Sequence, residues 1–307
     1  MHRHIAFGLR WDSDIVLGQF NRAPDDDAPG DIVVRRAAAP LPDREIVHAK
    51  DGVGLKERAV LYTDGFRLQV SEAIFDFHTP GTIEWLPGPA WRGEFPPLFF
   101  GTIAALALAW RGGIPIHGSS VEIDGRAYLV CGPSGAGKST LAATLVASGR
   151  ARLIADDLSI IEGAVGGAPS LYPGRPAIRL FPALAEHMRA SGAEVREDPG
   201  NDKLLVRPAR ADPLIPVPLA AIIVLGADTS AIPLWRRADF LNAQVFRPLW
   251  MRAIPGWHDR FRFLHHVGTT VPMHSLGAAD IRDTKDFHDR ALQALALVDS
   301  GTGVAER

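Results

Sequence analysis

With a single cysteine, Cys131, among its 307 residues, the chain can form no internal disulfide, and nothing in it calls for an oxidising compartment. Charge of one sign is lacking as well: 33 basic against 35 acidic side chains leave a formal net charge of −2. No general basic field is there to recruit nucleic acid or an anionic membrane, so neither is expected as a partner. Long apolar runs are missing too. The most apolar stretch, LFFGTIAALALAW at 98–110, is thirteen residues between Pro97 and Arg111. That is too short to span a bilayer and reads as a buried helix. The opening MHRHIAFGLRW is basic but has no apolar region followed by a small-residue cleavage site, so a soluble, cytoplasmic protein is expected. Internal repeats, low-complexity tracts and heptads are likewise absent.

What is present is globular. Hydrophobic residues make up 47% and charged residues 22%, which argues against disorder, and the length suits one large domain or two ordinary ones. The first part reads as β-rich, with runs HIAFGLR (4–10), DIVVRR (31–36), RAVLY (58–62), FRLQV (66–70) and TIEWL (82–86) separated by Pro, Gly and Asp clusters. No His cluster or metal spacing occurs there; the triplet Asp25-Asp26-Asp27 reads as a solvated loop rather than a cation site. The composition changes after EFPPLFF. The expectation is therefore a β-rich domain over 1–95 that positions a substrate or partner, followed by a second domain over 96–307.

In that second part a helix at 98–111 leads into two strand-like runs, PIHGSSVEI (115–123) and RAYLVCG (126–132), joined by Asp124-Gly125 as a hairpin. A helix follows over 139–149 with Gly149 as its cap, then RLIADDLSII (152–161) as a strand interrupted by its two aspartates. LAAIIVLG (219–226) and AIPLW (231–235) read as strands, and 184–192, 238–246 and 285–298 as helices.

Between the hairpin and the first of these helices lies CGPSGAGKST, which fits G-x-x-x-x-G-K-[ST]. The cradle comprises Gly132, Pro133, Ser134, Gly135, Ala136, Gly137, Lys138, Ser139 and Thr140. Glycines open backbone conformations that let N–H groups approach phosphate oxygens, and the helix start adds its positive dipole end. Lys138 is expected on the β- and γ-phosphates and the Ser139 hydroxyl on magnesium, which makes ATP and Mg²⁺ the expected cofactors. Asp156 and Asp157 end the next strand, where an acidic residue can hold the metal. Alternation would send them to opposite faces unless the strand bends there. One aspartate can hold magnesium while the other accepts a proton from an attacking hydroxyl; the alternative leaves one of them as a solvated turn residue. His117, in IPIHGSS, lies on the hairpin that returns alongside the cradle, where it can pair with Asp156 or steer the γ-phosphate.

The N-K-x-D motif of GTPases and the L-S-G-G-Q signature of transporter ATPases are not found. Over residues 117–161 the chain instead resembles the C-terminal catalytic domain of HPr kinase/phosphorylase, a bacterial serine kinase related in fold to phosphoenolpyruvate carboxykinase. A histidine-glycine before a hairpin, a G-x-S-G-x-G-K-S loop and an alanine-aspartate-aspartate strand end occur in that order. The resemblance implies an α/β P-loop kinase domain behind the β-rich N-terminal one. It further implies Asp156 as general base assisted by His117, Asp157 with Ser139 on Mg²⁺, and Lys138 on the transferring phosphoryl group. Thr140 stands where the metabolic enzymes carry glutamate, and their later glutamate and R-G segment is replaced by YPGRPAIRLFP. These departures weaken the case for HPr as substrate and for the reverse phosphorylase reaction. The Y-P-G-x-P-x-I-R-L-x-P run looks like the branch that includes kinases of lasso-peptide precursors; Arg179 and Lys203 would then be phosphate or substrate contacts.

The leading expectation is an ATP- and Mg-dependent kinase acting on a serine of a peptide or small protein, with room for homo-oligomerisation. The alternatives are a small-molecule or carboxykinase-like enzyme and an ATP-binding regulatory protein without transfer activity.

Overall fold

Alternating apolar residues in the N-terminal part build a nine-stranded sheet. The structure, a computed structural model, describes residues 1–24, 28–51, 58–198, 202–209, 215–277, 289 and 292–298. The acidic triplet 25–27 and most of the helix expected over 285–298 lie outside the described residues, while 292–298 is helical. The strands run in the order Asn21–Arg22, His2–Ala6, Leu9–Ser13, Ile32–Arg36, Thr82–Pro87, Ala73–His78, Gly65–Gln69, Arg58–Tyr62 and His48–Asp51. HIAFGLR, expected as one strand, is two, because Phe7 and Gly8 take positive φ values of 56° and 72° and turn the chain back. A two-residue turn with both central residues left-handed matches the twist of a hairpin. Ala73–His78 carried no sequence signal, since Asp76 sits in its middle. That carboxylate is fully buried and gripped by Arg44, at 2.7 Å, and by Arg67.

The chain divides into two compact units, Met1–Pro115 with Phe246–Arg260, and Ile116–Val245 with Phe261–Arg307. The change of composition near residue 95 is thus not where the units part. The apolar run folds as a π-helical turn, Phe99–Ile103, and an α-helix, Ala104–Trp110, within the first unit. Its rings explain why. Phe99 lies 5.4 Å from Phe75 and 6.3 Å from Trp11 between ring centroids, and Trp110 lies 6.1 Å from Phe77. Phe75, Phe77 and Phe99 are fully buried, and each contributes roughly 1.5–3 kcal/mol over exposure. Residues 246–260 join this unit through Phe246 N, which donates to Pro115 O at 2.8 Å, and Arg260, which donates to Ala109 O.

In the second unit the strands follow the order Ser159–Glu162, Ser170–Tyr172, Val217–Leu225, Arg126–Cys131, Ser119–Ile123 and Arg152–Ala155. Met273–Leu276 pairs parallel to Val217–Leu225, which itself runs parallel to Arg126–Cys131. A separate three-stranded sheet holds Ile178–Leu180, Leu204–Arg207 and Glu194–Glu197. The Asp124-Gly125 hairpin is formed, with φ values of 50° and 76°. AIPLW is not a strand: Thr229–Ala231 and Leu234–Arg236 are single 3-10 turns. Asp228 accepts from Ser230 N at 2.9 Å, a local side-chain bond that competes with extended structure. The fold as a whole is mixed α/β with two large sheets. No helix among the described residues is long and apolar enough to cross a membrane.

Candidate active site

Strand Arg126–Cys131 is buried from Ala127 onward and delivers the chain into the glycine-rich loop from the middle of the sheet. At Gly132 φ is 144°, and an added Cβ would lie 2.7 Å from Leu225 O, so only glycine fits. Gly137, with φ 94°, is the N-cap of helix Lys138–Ala147, and no side chain caps that helix. Its first N–H groups therefore remain aimed at the loop, an arrangement suited to an anion. Lys138 is buried, and its Nζ donates to Gly132 O and Pro133 O at 3.0 Å each. Burial lowers the pKa of its ammonium, while Cys131, Asp156 and Asp157 act in the opposite direction. Burial pushes the Cys131 thiol up to about 12, which removes it as a nucleophile.

The strand Arg152–Ala155 ends just before the two aspartates, and Asp157 takes a left-handed φ of 68°. That bend breaks the alternation and sends the two carboxylates to different partners. Asp156 turns inward: it is 2% exposed, its Oδ1 accepts from Ser119 Oγ at 2.6 Å and its Oδ2 from Arg179 N at 3.3 Å. Asp157 is partly exposed, with Oδ1 3.2 Å from His117 Nδ1 and Oδ2 3.6 Å from Arg175 Nη2. Burial pushes its carboxyl up, but the hydrogen bond from His117 and the charges of Arg175, His117 and Arg179 outweigh it and hold the pKa at about 2. Asp157 is thus a permanent anion at neutral pH.

His117 sits in a break between strands Ile114–Ile116 and Ser119–Ile123. Gly118 stands in that break, where an added Cβ would meet Val130 O at 2.8 Å. One cleft is lined by His117, Ser119, Ser134, Gly135, Gly137, Lys138, Ser139, Thr140, Asp157, Phe181 and Lys203. The fold therefore gathers His117, Lys138, Ser139, Thr140, Asp157 and Lys203 around one space. Gly132, Pro133 and Ala136 shape the loop without lining the cleft. Asp156 and Arg179 do not line it either. His117 faces Asp157 and not Asp156, and the Arg179 Nε is engaged by Asp198 at 2.7 Å. Lys203 lies over the Phe181 ring, 4.9 Å from its centroid.

Four residues of this site carried no separate signal. Ser119 and Arg175 reach the aspartates from segments already quoted, the hairpin and the Pro-flanked YPGRP turn. Gln244 contacts Gly132 from 112 residues away, and Phe181 is an exposed ring in a cleft visible only in three dimensions. Among the described residues no group of three or more His, Cys, Asp or Glu side chains is placed to hold a metal ion. Ser139 and Asp157 supply two oxygen donors to the cleft, which fits magnesium, an ion that takes few protein ligands and completes its shell with phosphates and water. The three left-handed glycines and the uncapped helix start fit a nucleotide's phosphates.

No protein-family model matches the chain, and no curated protein sequence matches it. Among solved structures it is similar to the Hpr(Ser) kinase/phosphatase from Coxiella burnetii, at 16% identity over 39% of this chain and 69% of that one, with a TM-score of 0.24. A likeness of that size identifies neither a fold family nor an activity.

Proposed function

We propose that the chain is an ATP- and Mg-dependent phosphotransferase that phosphorylates a serine hydroxyl of a peptide or small protein. The observation that carries this reading is the cleft itself. A glycine loop, Lys138 and Ser139 form one wall, and Asp157 with His117 Nδ1 3.2 Å from its Oδ1 faces the same space. The acceptor class rests on the resemblance of residues 117–161 to serine kinases, and a lasso-peptide precursor on that of YPGRPAIRLFP. In the reaction the serine oxygen bonds to the γ-phosphorus, the bond to the β,γ-bridging oxygen breaks, ADP leaves, and the serine proton passes to the protein.

Lys138 would leave the loop carbonyls for the β- and γ-phosphates and stabilise charge on the transferring group. Ser139 and Asp157 would hold magnesium, which when bound supplies positive charge beside the phosphates. The proton acceptor is assigned to His117, whose Nδ1 is oriented by Asp157, so that its other nitrogen can take the proton. Asp156, whose oxygens are engaged by Ser119 and Arg179 N, becomes a positioning residue rather than the base. The measurement is transfer of label from γ-labelled ATP to serine-containing peptides. Label on serine with the wild-type protein, and none with Lys138→Ala, supports the reading. Label on a metabolite instead of peptide would favour the small-molecule kinase, and bound ATP without transfer the regulatory protein.

A further inference from the structure

Gly132, the first residue of the loop, is held from two sides. Its carbonyl accepts from Lys138 Nζ at 3.0 Å, and its N–H donates to Gln244 Oε1 at 3.2 Å. The backbone carbonyl of the same glutamine accepts from His117 N at 2.8 Å. The next residue, Val245, bridges to Ile116. One residue at the end of helix Arg237–Ala243 therefore touches both walls of the cleft, the loop through its side chain and the histidine segment through its backbone. Gly132 is buried, and a Cβ added there would meet Leu225 O at 2.7 Å, so losing the glutamine oxygen leaves the N–H of a tightly enclosed residue without that acceptor.

We propose that Gln244 is a positioning residue for nucleotide binding: its side-chain amide fixes the first peptide of the loop so that the following N–H groups converge on the phosphates. The proposal rests on the phosphotransferase reading. Its two contacts separate chemically. The bond to His117 uses the main chain and survives any side-chain substitution, whereas the bond to Gly132 needs an acceptor at the end of the side chain. Gln244→Met keeps length and bulk but offers only a weak thioether acceptor. Gln244→Glu keeps an oxygen at the same reach.

The test combines calorimetric binding of Mg·ATP with amide NMR of the full chain, for wild type and both variants. In Gln244→Met the expected result is about tenfold weaker Mg·ATP binding, in line with one lost hydrogen bond. The Gly132 amide resonance moves upfield while that of His117 stays in place. In the transfer assay the same variant raises KM for ATP and leaves kcat nearly unchanged. Gln244→Glu keeps the Gly132 resonance near its wild-type position, and it supplies the readout should the methionine variant fail to fold. Unchanged affinity and an unmoved Gly132 resonance in Gln244→Met overturn the assignment while leaving the nucleotide reading intact. A wild-type protein that does not bind Mg·ATP removes that reading, and the role of Gln244 with it.

Discussion

Asp156 and Asp157 are adjacent and identical in chemistry, yet a single left-handed residue gives them different work. Asp157 faces the cleft beside His117, and Asp156 ties Ser119 to the backbone of Arg179. Asp157→Asn is expected to cut transfer roughly 10²–10³-fold, the scale of removing one group that meets developing charge. Asp156→Ala leaves the Ser119 hydroxyl and the Arg179 N–H without this acceptor, and should cost roughly 1–3 kcal/mol for the buried Ser119 hydroxyl alone, read by denaturant unfolding. The pH response also belongs to Asp157. Its folded pKa of about 2 lies below the ordinary carboxylate value of 3.8. Its ionised form therefore favours the fold above pH 4, and that contribution is lost as pH falls toward 2. Acid titration of the unfolding midpoint should show a drop in that window for wild type and a shallower one for Asp157→Asn.

Among the elements, the hairpin at Asp124-Gly125, the loop glycines and helix Lys138–Ala147 were legible because turn chemistry and phosphate chemistry restrict the residues that can stand there. The strand break at His117 was not. PIHGSSVEI reads as one run, and the close approach of Gly118 to Val130 O shows only in the folded chain. Gly118→Ala should displace that segment by forcing a Cβ against the carbonyl, destabilising by roughly 1–3 kcal/mol and lowering transfer further through His117. Strands such as Ala73–His78 escaped because a buried aspartate interrupts their apolar pattern. That aspartate has its own consequence. Asp76→Ala would leave Arg44 and Arg67 beside an empty position and is expected to cost roughly 3–5 kcal/mol, measurable as a lower melting temperature. The pairing of Asp157 with His117 was likewise hidden, because the spacing of motifs does not say which of two neighbouring carboxylates a bend will turn outward.

For the whole molecule, the two compact units part after Pro115 rather than at the change of composition near residue 95. The run 96–115 changes composition yet packs its aromatic rings on the N-terminal sheet, and residues 246–260 return to the same unit. Contacts between residues far apart in the chain leave no local mark. Nucleotide binding should act on the stability of the chain by mass action. Mg·ATP at a hundred times its Kd is expected to add about 2.7 kcal/mol, and Lys138→Ala to abolish that gain. The most direct measurement is the intact mass of a serine-containing precursor peptide after incubation with the protein and Mg·ATP, with fragmentation to place the added group. Phosphate on serine with the wild-type chain, and a loss of that product in His117→Ala and Asp157→Asn, is the expected result. A peptide of unchanged mass beside a protein that binds Mg·ATP would contradict it.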